Sequence, residues 1–374
     1  MRLFTKPSTY LLALLTLTTP TLAAWNNLTL SNYKLAQSGY SSAIANLDSA
    51  LPNVKVSDII ADLNHNNPST TPSVKNLIPS SAYGWQNTAD FNDQDTEKWY
   101  PQGVTTSADA YDSGTYEGFR VQLISWHSDH YDDGKRGARV SFVSGTKYRH
   151  VLLVIPKGKD DFEAIKGLHA GGIMWYGSLV YVVDTTGGLR VFDLNHIYKV
   201  DPEVKEGIGR QTGGAFGAYG YKYVLPQVRT YDWQPKSGLI DMRFSFISLD
   251  RTTTPDSILV GEYSATRTDC RLVRWDIDYT NRLLKTSNGI ATASEAVSHG
   301  NTKIQGAASI NGKWFLTQSG GDLISYSWKD GKKTTADTFP KVPEDLSYEK
   351  GVGLWTLMEV PGSRNVFAID PAKF

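Results

Sequence analysis

From Tyr100 onward the chain is a succession of short runs rich in Val, Ile, Tyr, Phe and Trp, broken by Gly, Asp and Ser. Runs of β-branched and aromatic residues bounded by turn residues read as strands. One group of runs reads 103–111, 119–126, 137–143 and 148–155, and a second reads 170–175, 179–183, 189–194 and 223–231. Weaker groups follow at 242–249, 258–263 and 271–277, at 304–310, 313–318 and 323–328, and at 352–358 and 365–369. Each is a small antiparallel sheet that cannot bury both faces alone, and stacking such sheets radially closes a β-propeller. The pattern before Tyr100 differs. Apolar residues recur at helical spacing between Tyr33 and Leu51 and again from Val54 to Leu63, followed by a loop over 67–72. Residues 24–98 therefore read as a short helical segment packed on a propeller of residues 99–374.

The expected fold is all-β. Five blades are visible, and at ~50 residues per blade the length admits seven, with irregular blades in the N-terminal part and in the 200–240 region. A large β-sandwich is the alternative. The punctuation favours a propeller: Gln102-Gly103, His169-Ala170-Gly171-Gly172, Gln305-Gly306 and Glu349-Lys350-Gly351 each set a large polar residue before small ones and then a β run. Innermost strands crowd around the axis, so small residues belong there, and each polar residue would stand at a channel mouth.

Composition narrows the function classes. Thirty-eight basic and 38 acidic side chains give zero formal net charge, which argues against a nucleic-acid partner. The lone Cys270 excludes an internal disulfide framework. Arg2 and Lys6, the apolar stretch Leu11–Leu22 and the small residues before Ala24 read as a secretory signal over residues 1–23. That stretch is too short to span a membrane, and the sequon Asn27-Leu28-Thr29 fits a secretory route. The expectation is a secreted, extracellular monomer with no membrane partner.

The zinc-protease, phosphate-loop, dinucleotide and nucleophile-elbow motifs are absent. Candidate chemistry then rests on the channel mouth. His169, unshielded by the small residues after it, suits a general base near neutral pH, with a structural tie between blades as the other reading. His127 opens a turn, His127 to Asp133, with a second imidazole and three carboxylates, which reads as a metal or acid–base site or as a solvated turn. Its spacing does not fit a helix–loop–helix calcium loop, so a structural divalent cation such as calcium stays only as an option. Arg210 and Tyr219 lie on a glycine-rich insertion able to hold a carboxylate or a sugar ring. Gln102, Gln305, Tyr176, Tyr263, Arg267 and His299 occupy strand starts or corresponding loops and are candidate substrate contacts.

The stretches at 100–105, 137–143, 148–154, 169–176 and 188–194, extended by 223–227 and 305–307, resemble a family of secreted fungal and actinobacterial propellers, the L-rhamnose-α-1,4-D-glucuronate lyases. The resemblance covers roughly residues 98–330. It implies a seven-bladed propeller that removes rhamnose from gum-arabic side chains by β-elimination at a uronic acid. Arg210 or Arg267 would neutralise the uronate carboxylate, His169 or His127 would take the C5 proton, and Tyr219 would protonate the leaving oxygen. Gln102 and Gln305 would hold hydroxyls. The rivals are a non-catalytic carbohydrate-binding propeller and a glycoside hydrolase, for which Asp184, Glu262 and Glu349 are available carboxylates that nothing in the sequence pairs.

Overall fold

The computed structural model describes residues 25–128 and 135–374. The stretch read as a secretory signal and the acidic part of the turn after His127 lie outside them. Among the described residues, no helix is long and apolar enough to cross a membrane.

Five antiparallel sheets account for the runs. The first blade consists of Trp99–Thr106, Gln122–Ser128, Ala138–Ser144 and Lys147–Lys157. The second consists of Ile173–Tyr176, Leu179–Asp184, Gly188–Asp193 and Tyr223–Trp233. The third consists of Phe246–Asp250, Ser257–Gly261, Arg271–Asp278 and Glu295–Ser298. The fourth consists of Ile304–Ile310, Lys313–Gln318, Leu323–Ser327 and Gly331–Thr335. The fifth consists of Pro343–Glu349, Gly353–Met358 and Val366–Ile369. The first strand of each blade touches the first strand of the next, and the fifth returns to the first, so the ring closes. The fold is a β-propeller.

Five blades replace the seven expected from length and from the lyase resemblance. The two stretches assigned to hidden blades serve the visible ones instead. Asn26–Asn27 adds to the outer edge of the third blade, Lys34–Gln37 to the second and His65–Asn66 to the first. Tyr83 and Leu77 bridge to Val366 and Ile369, giving the fifth blade its outer edge. The N-terminal segment is thus a stitch around the rim. Its helices, Ala43–Ala50 and Val56–Ala61, are shorter than the helical spacing suggested. The alternation in Lys34-Leu35-Ala36-Gln37, with Leu35 buried, belongs to a strand. In the 200–240 region, a small hairpin of Ile208–Arg210 with Phe216–Ala218 precedes a long outer strand. That strand runs parallel to the first blade's outer strand, with Val224 opposite Leu152, and merges two blades into one sheet.

The glycines at the strand starts do what close approach requires. A Cβ on Gly103 would stand 2.7 Å from the backbone nitrogen of Ile173, and one on Gly172 would stand 2.5 Å from that of Ile247. On Gly306 it would lie 2.4 Å from the carbonyl carbon of Asp345. Each clash is with the backbone of the next blade, which cannot step aside as a flexible side chain can. Gly306→Ala is therefore expected to lower unfolding free energy by about 1–3 kcal/mol. Gly320→Ala, where nothing lies within 4 Å, serves as the control. Denaturant midpoints of the two variants check this.

Candidate functional site

The channel has two mouths, one where the innermost strands start and one where they end. At the starting mouth, His127 and His169 come together with ring centroids 4.3 Å apart. His127 lies opposite Tyr100 in the strand register, and their rings stack at 5.6 Å. His127 is half-buried and His169 is exposed. The pair is fixed from below by Ser125, whose hydroxyl donates to the carbonyl of Ala170 and accepts from the backbone N–H of Gly103, both at 2.9 Å. Ala170 itself takes φ +52°. That left-handed turn, uncommon for a residue with a Cβ, brings the chain from His169 into Gly171-Gly172. Two histidines 42 positions apart in sequence thus share one patch because a strand end and a strand start meet there.

Below them, the channel wall is a set of amide–carboxyl pairs. Gln102 is almost fully buried and donates to Glu359 at 2.6 Å, and Gln305 donates to Glu344 at 2.6 Å. Burial, then the neighbouring Glu359 and Asp345, pushes the Glu344 carboxyl well above its ordinary range. Asp345 receives the N–H groups of Val104 at 3.1 Å and Ile173 at 3.4 Å, so one carboxyl reaches the first and second blades from the fifth. Burial pushes that group up as well. The wall is accordingly poor in fixed charge. Gln102, expected as a substrate contact, is instead closed to a ligand by its burial against Glu359.

The rim above carries cations. Arg243 is exposed, two residues before Ser245, and Ser245 lies against Gly171 beside the ring of His169. Lys303 is exposed and directly precedes the fourth blade's first strand. Tyr263 is half-buried and bonds through its backbone N–H to the Ser245 hydroxyl at 2.9 Å. Sequence reading passed over Arg243, Lys303, Glu344 and Glu359. Position relative to a first strand was the available signal for Arg243 and Lys303, but neither is flanked by the glycine that marked the others.

Several candidates stand elsewhere. Arg210 pairs with Asp160 and lies over the Phe216 ring, on the hairpin outside the first blade. Tyr219 lies beneath Arg136 and lines a small flank cavity with His65 and Lys222. Arg267 pairs with Asp269 at 2.8 Å within its own loop. His299 is fully buried beside Trp25, and burial, reinforced by Lys332, pulls its pKa down to about 3, so it is a neutral interior ring. Tyr176 closes the second blade's first strand and donates to Asp256 at 2.8 Å, at the opposite mouth. Glu349 is there too. The Glu-Lys-Gly sequence at 349–351 marks the exit from the fifth blade's first strand, whose true opening is Pro343-Glu344-Asp345. Of the hydrolase carboxylates, Asp184 pairs with Arg190 and Glu262 is buried against Arg271. Among the described residues, no group of three or more His, Cys, Asp or Glu side chains is placed to hold a metal ion.

At the ending mouth, Asp109 is buried and accepts hydrogen bonds from Thr105 at 2.6 Å and Ser347 at 2.8 Å. Burial raises its pKa to about 6, against the opposing pull of those two hydroxyls. Since the folded value lies above the unfolded one, the group favours the fold below pH ~4, and that contribution is lost as pH rises through about 6. One such group corresponds to about 3 kcal/mol. Asp109→Asn is expected to remove this part of the pH dependence. Urea unfolding of both proteins at pH 4.5 and 7.5 measures it, and an unchanged difference between the two pH values contradicts the assignment.

No family model matches the chain, and no curated protein matches it. Similar solved structures include Sqt1 from Chaetomium thermophilum, at 8% identity and TM-score 0.32, with 70% of this chain and 56% of that one covered. A Bacteroides thetaiotaomicron protein of unknown function has 12% identity and TM-score 0.35, with 82% and 76% covered. Kuenenia stuttgartiensis hydrazine synthase has 13% identity and TM-score 0.35, with 72% and 77% covered. The chain thus spans little more than half of the Sqt1 length. The propeller is established by this chain's own strand order.

Proposed function

We propose that the protein is a secreted polysaccharide lyase that cleaves a rhamnosyl–glucuronate linkage of gum-arabic-type side chains by β-elimination. The observation that carries the reading is the His127–His169 pair at a channel mouth, one ring exposed and the other stacked on Tyr100. An imidazole ordinarily titrates near neutral pH, so an exposed ring backed by a second one suits proton removal from carbon. His169 takes the C5 proton, the C–H electrons form the C4–C5 double bond, and the C4–O bond to rhamnose breaks. The departing oxygen takes up a proton from solvent or from Tyr100.

The C5 proton becomes acidic only when the C6 carboxylate is neutralised. Arg243, at the rim beside Ser245, replaces Arg210 and Arg267 in that role, because those two are drawn to Asp160 and Asp269. Gln305, half-buried and bonded to Glu344, is left to hold a hydroxyl, because Gln102 is buried against Glu359. Support for the reading comes from this mouth and not from blade number, which departs from the family's seven.

Incubation of the protein with gum arabic tests it. Ultraviolet absorbance is expected to rise as free rhamnose appears. Rhamnose without absorbance would make the protein a hydrolase, and neither signal would leave a binding propeller.

A further inference from the structure

The strand-end mouth holds a cavity of about 730 Å³ lined by Asp109, Arg251, Thr252, Asn311, Tyr348 and Lys350. Beside it, a pocket of about 290 Å³ runs between the first and fifth blades, past Ser107, Gln122, Tyr83 and Trp355. Arg120 and Glu349 line both, and their ion pair forms the wall between them. That wall is lopsided. The Glu349 side chain is only 4% exposed and also accepts from the Trp355 indole at 2.8 Å, whereas the Arg120 side chain is 64% exposed. The mostly exposed Arg120 can therefore leave where a ligand hydroxyl donates to the buried Glu349 carboxylate in its place, since a buried charge stripped of its partner is costly. The two spaces then become one trough.

The trough's chemistry points to its occupant. Hydroxyl and amide groups from Ser107, Thr252, Asn311 and Gln122 face it together with aromatic side chains. Hydrogen-bonding groups beside aromatic faces suit a pyranose, whose hydroxyls and C–H faces alternate around one ring. Of the ionised lining groups, Arg251 pairs with Asp112 and Asp256 and Arg120 with Glu349, while the exposed Lys350 shares the wall with the Asp109 carboxyl. A strong anion would gain little there.

We propose that this trough is a second saccharide site, which takes a neutral oligosaccharide, with Arg120 as a movable clasp across it. The site is separate from the histidine mouth and holds whether or not that mouth is catalytic.

Calorimetric titration of the full protein with β-1,3-galactohexaose and with the matching disaccharide tests the proposal. Neither sugar contains a uronate, so failure of the lyase reading does not affect the result. Arg120→Ala is expected to tighten hexaose binding by about fivefold and to leave the disaccharide unchanged. Ser113→Trp, on an exposed loop at the larger cavity, is expected to weaken hexaose binding more than about tenfold. Tyr348→Phe, which keeps the ring and removes one hydroxyl, gives a milder loss without threatening the fold. Absence of binding to Arg120→Ala protein, or binding that Ser113→Trp and Tyr348→Phe both leave intact, would overturn the proposal.

Discussion

Replacing His169 by alanine is expected to lower kcat on gum arabic by about 10²- to 10⁴-fold, the usual contribution of a positioned general base. The variant should fold normally, because His169 is exposed and the turn that carries it is held by Ala170, Ser125 and Gly171. Its residual activity should lose the acidic limb of the pH–rate profile, since no imidazole remains to be deprotonated in contact with substrate. His127 is half-buried between Tyr100 and His169, and under the proposed function it is a positioning residue that acts through its neighbour. His127→Ala should lower the rate less, and it should displace the acidic limb without abolishing it. Unaltered rates and pH profiles in both variants would remove the base assignment.

Replacing Asp93 by alanine is expected to cost about 3–5 kcal/mol of folding stability, the range for removing one partner of a buried ion pair. Asp93 comes from the N-terminal segment and lies inside the outer part of the first blade. One of its oxygens accepts from Arg139 at 2.6 Å, and the other accepts from Tyr148 at 2.8 Å and meets His150 at 2.7 Å. Its backbone carbonyl takes Arg364 at 2.6 Å. Burial alone would raise this carboxyl, but Arg139 and His150 hold it far below the ordinary range. Its contribution is therefore present above the unfolded value of ~4 and is lost as pH falls below it. Alanine would leave Arg139 charged between the Trp99 and Trp126 rings, 4.4 and 4.8 Å away, with its carboxylate gone. Asp160→Ala, which breaks a half-exposed pair with Arg210, should cost less than about 1 kcal/mol. Urea midpoints for the two variants measure the contrast, and equal losses would contradict this account of how the segment is held.

What sequence could disclose follows from which constraints are local. Gln102-Gly103 and Gln305-Gly306 were legible because backbone crowding at a propeller axis excludes a Cβ, and that exclusion is written as glycine. The outer strands at 34–37 and 65–66 were not, because they are short and owe their conformation to partners far along the chain. Blade number was misjudged for the same reason: a count by length treats rim strands and a flank hairpin as blades. The fifth blade's opening escaped because it is irregular. Its register shifts between Glu344 and Ser347, and Asp345 has φ +46°, so Pro343-Glu344-Asp345 reads as a polar loop. At the mouth, both histidines were found by type and local setting, but their contact is tertiary. Arg210 and Tyr219 were drawn in by a glycine-rich texture that the fold uses for a hairpin on the flank.

The most direct measurement is mass analysis of the oligosaccharide left after rhamnose release from gum-arabic side chains, by wild-type protein and by His169→Ala. Elimination leaves a terminal uronate lighter by one water than the hydrolytic product and carrying a C4–C5 double bond. The account predicts that lighter product from the wild type and almost none from His169→Ala. A full-mass uronate, or the lighter product formed equally by both proteins, would contradict it.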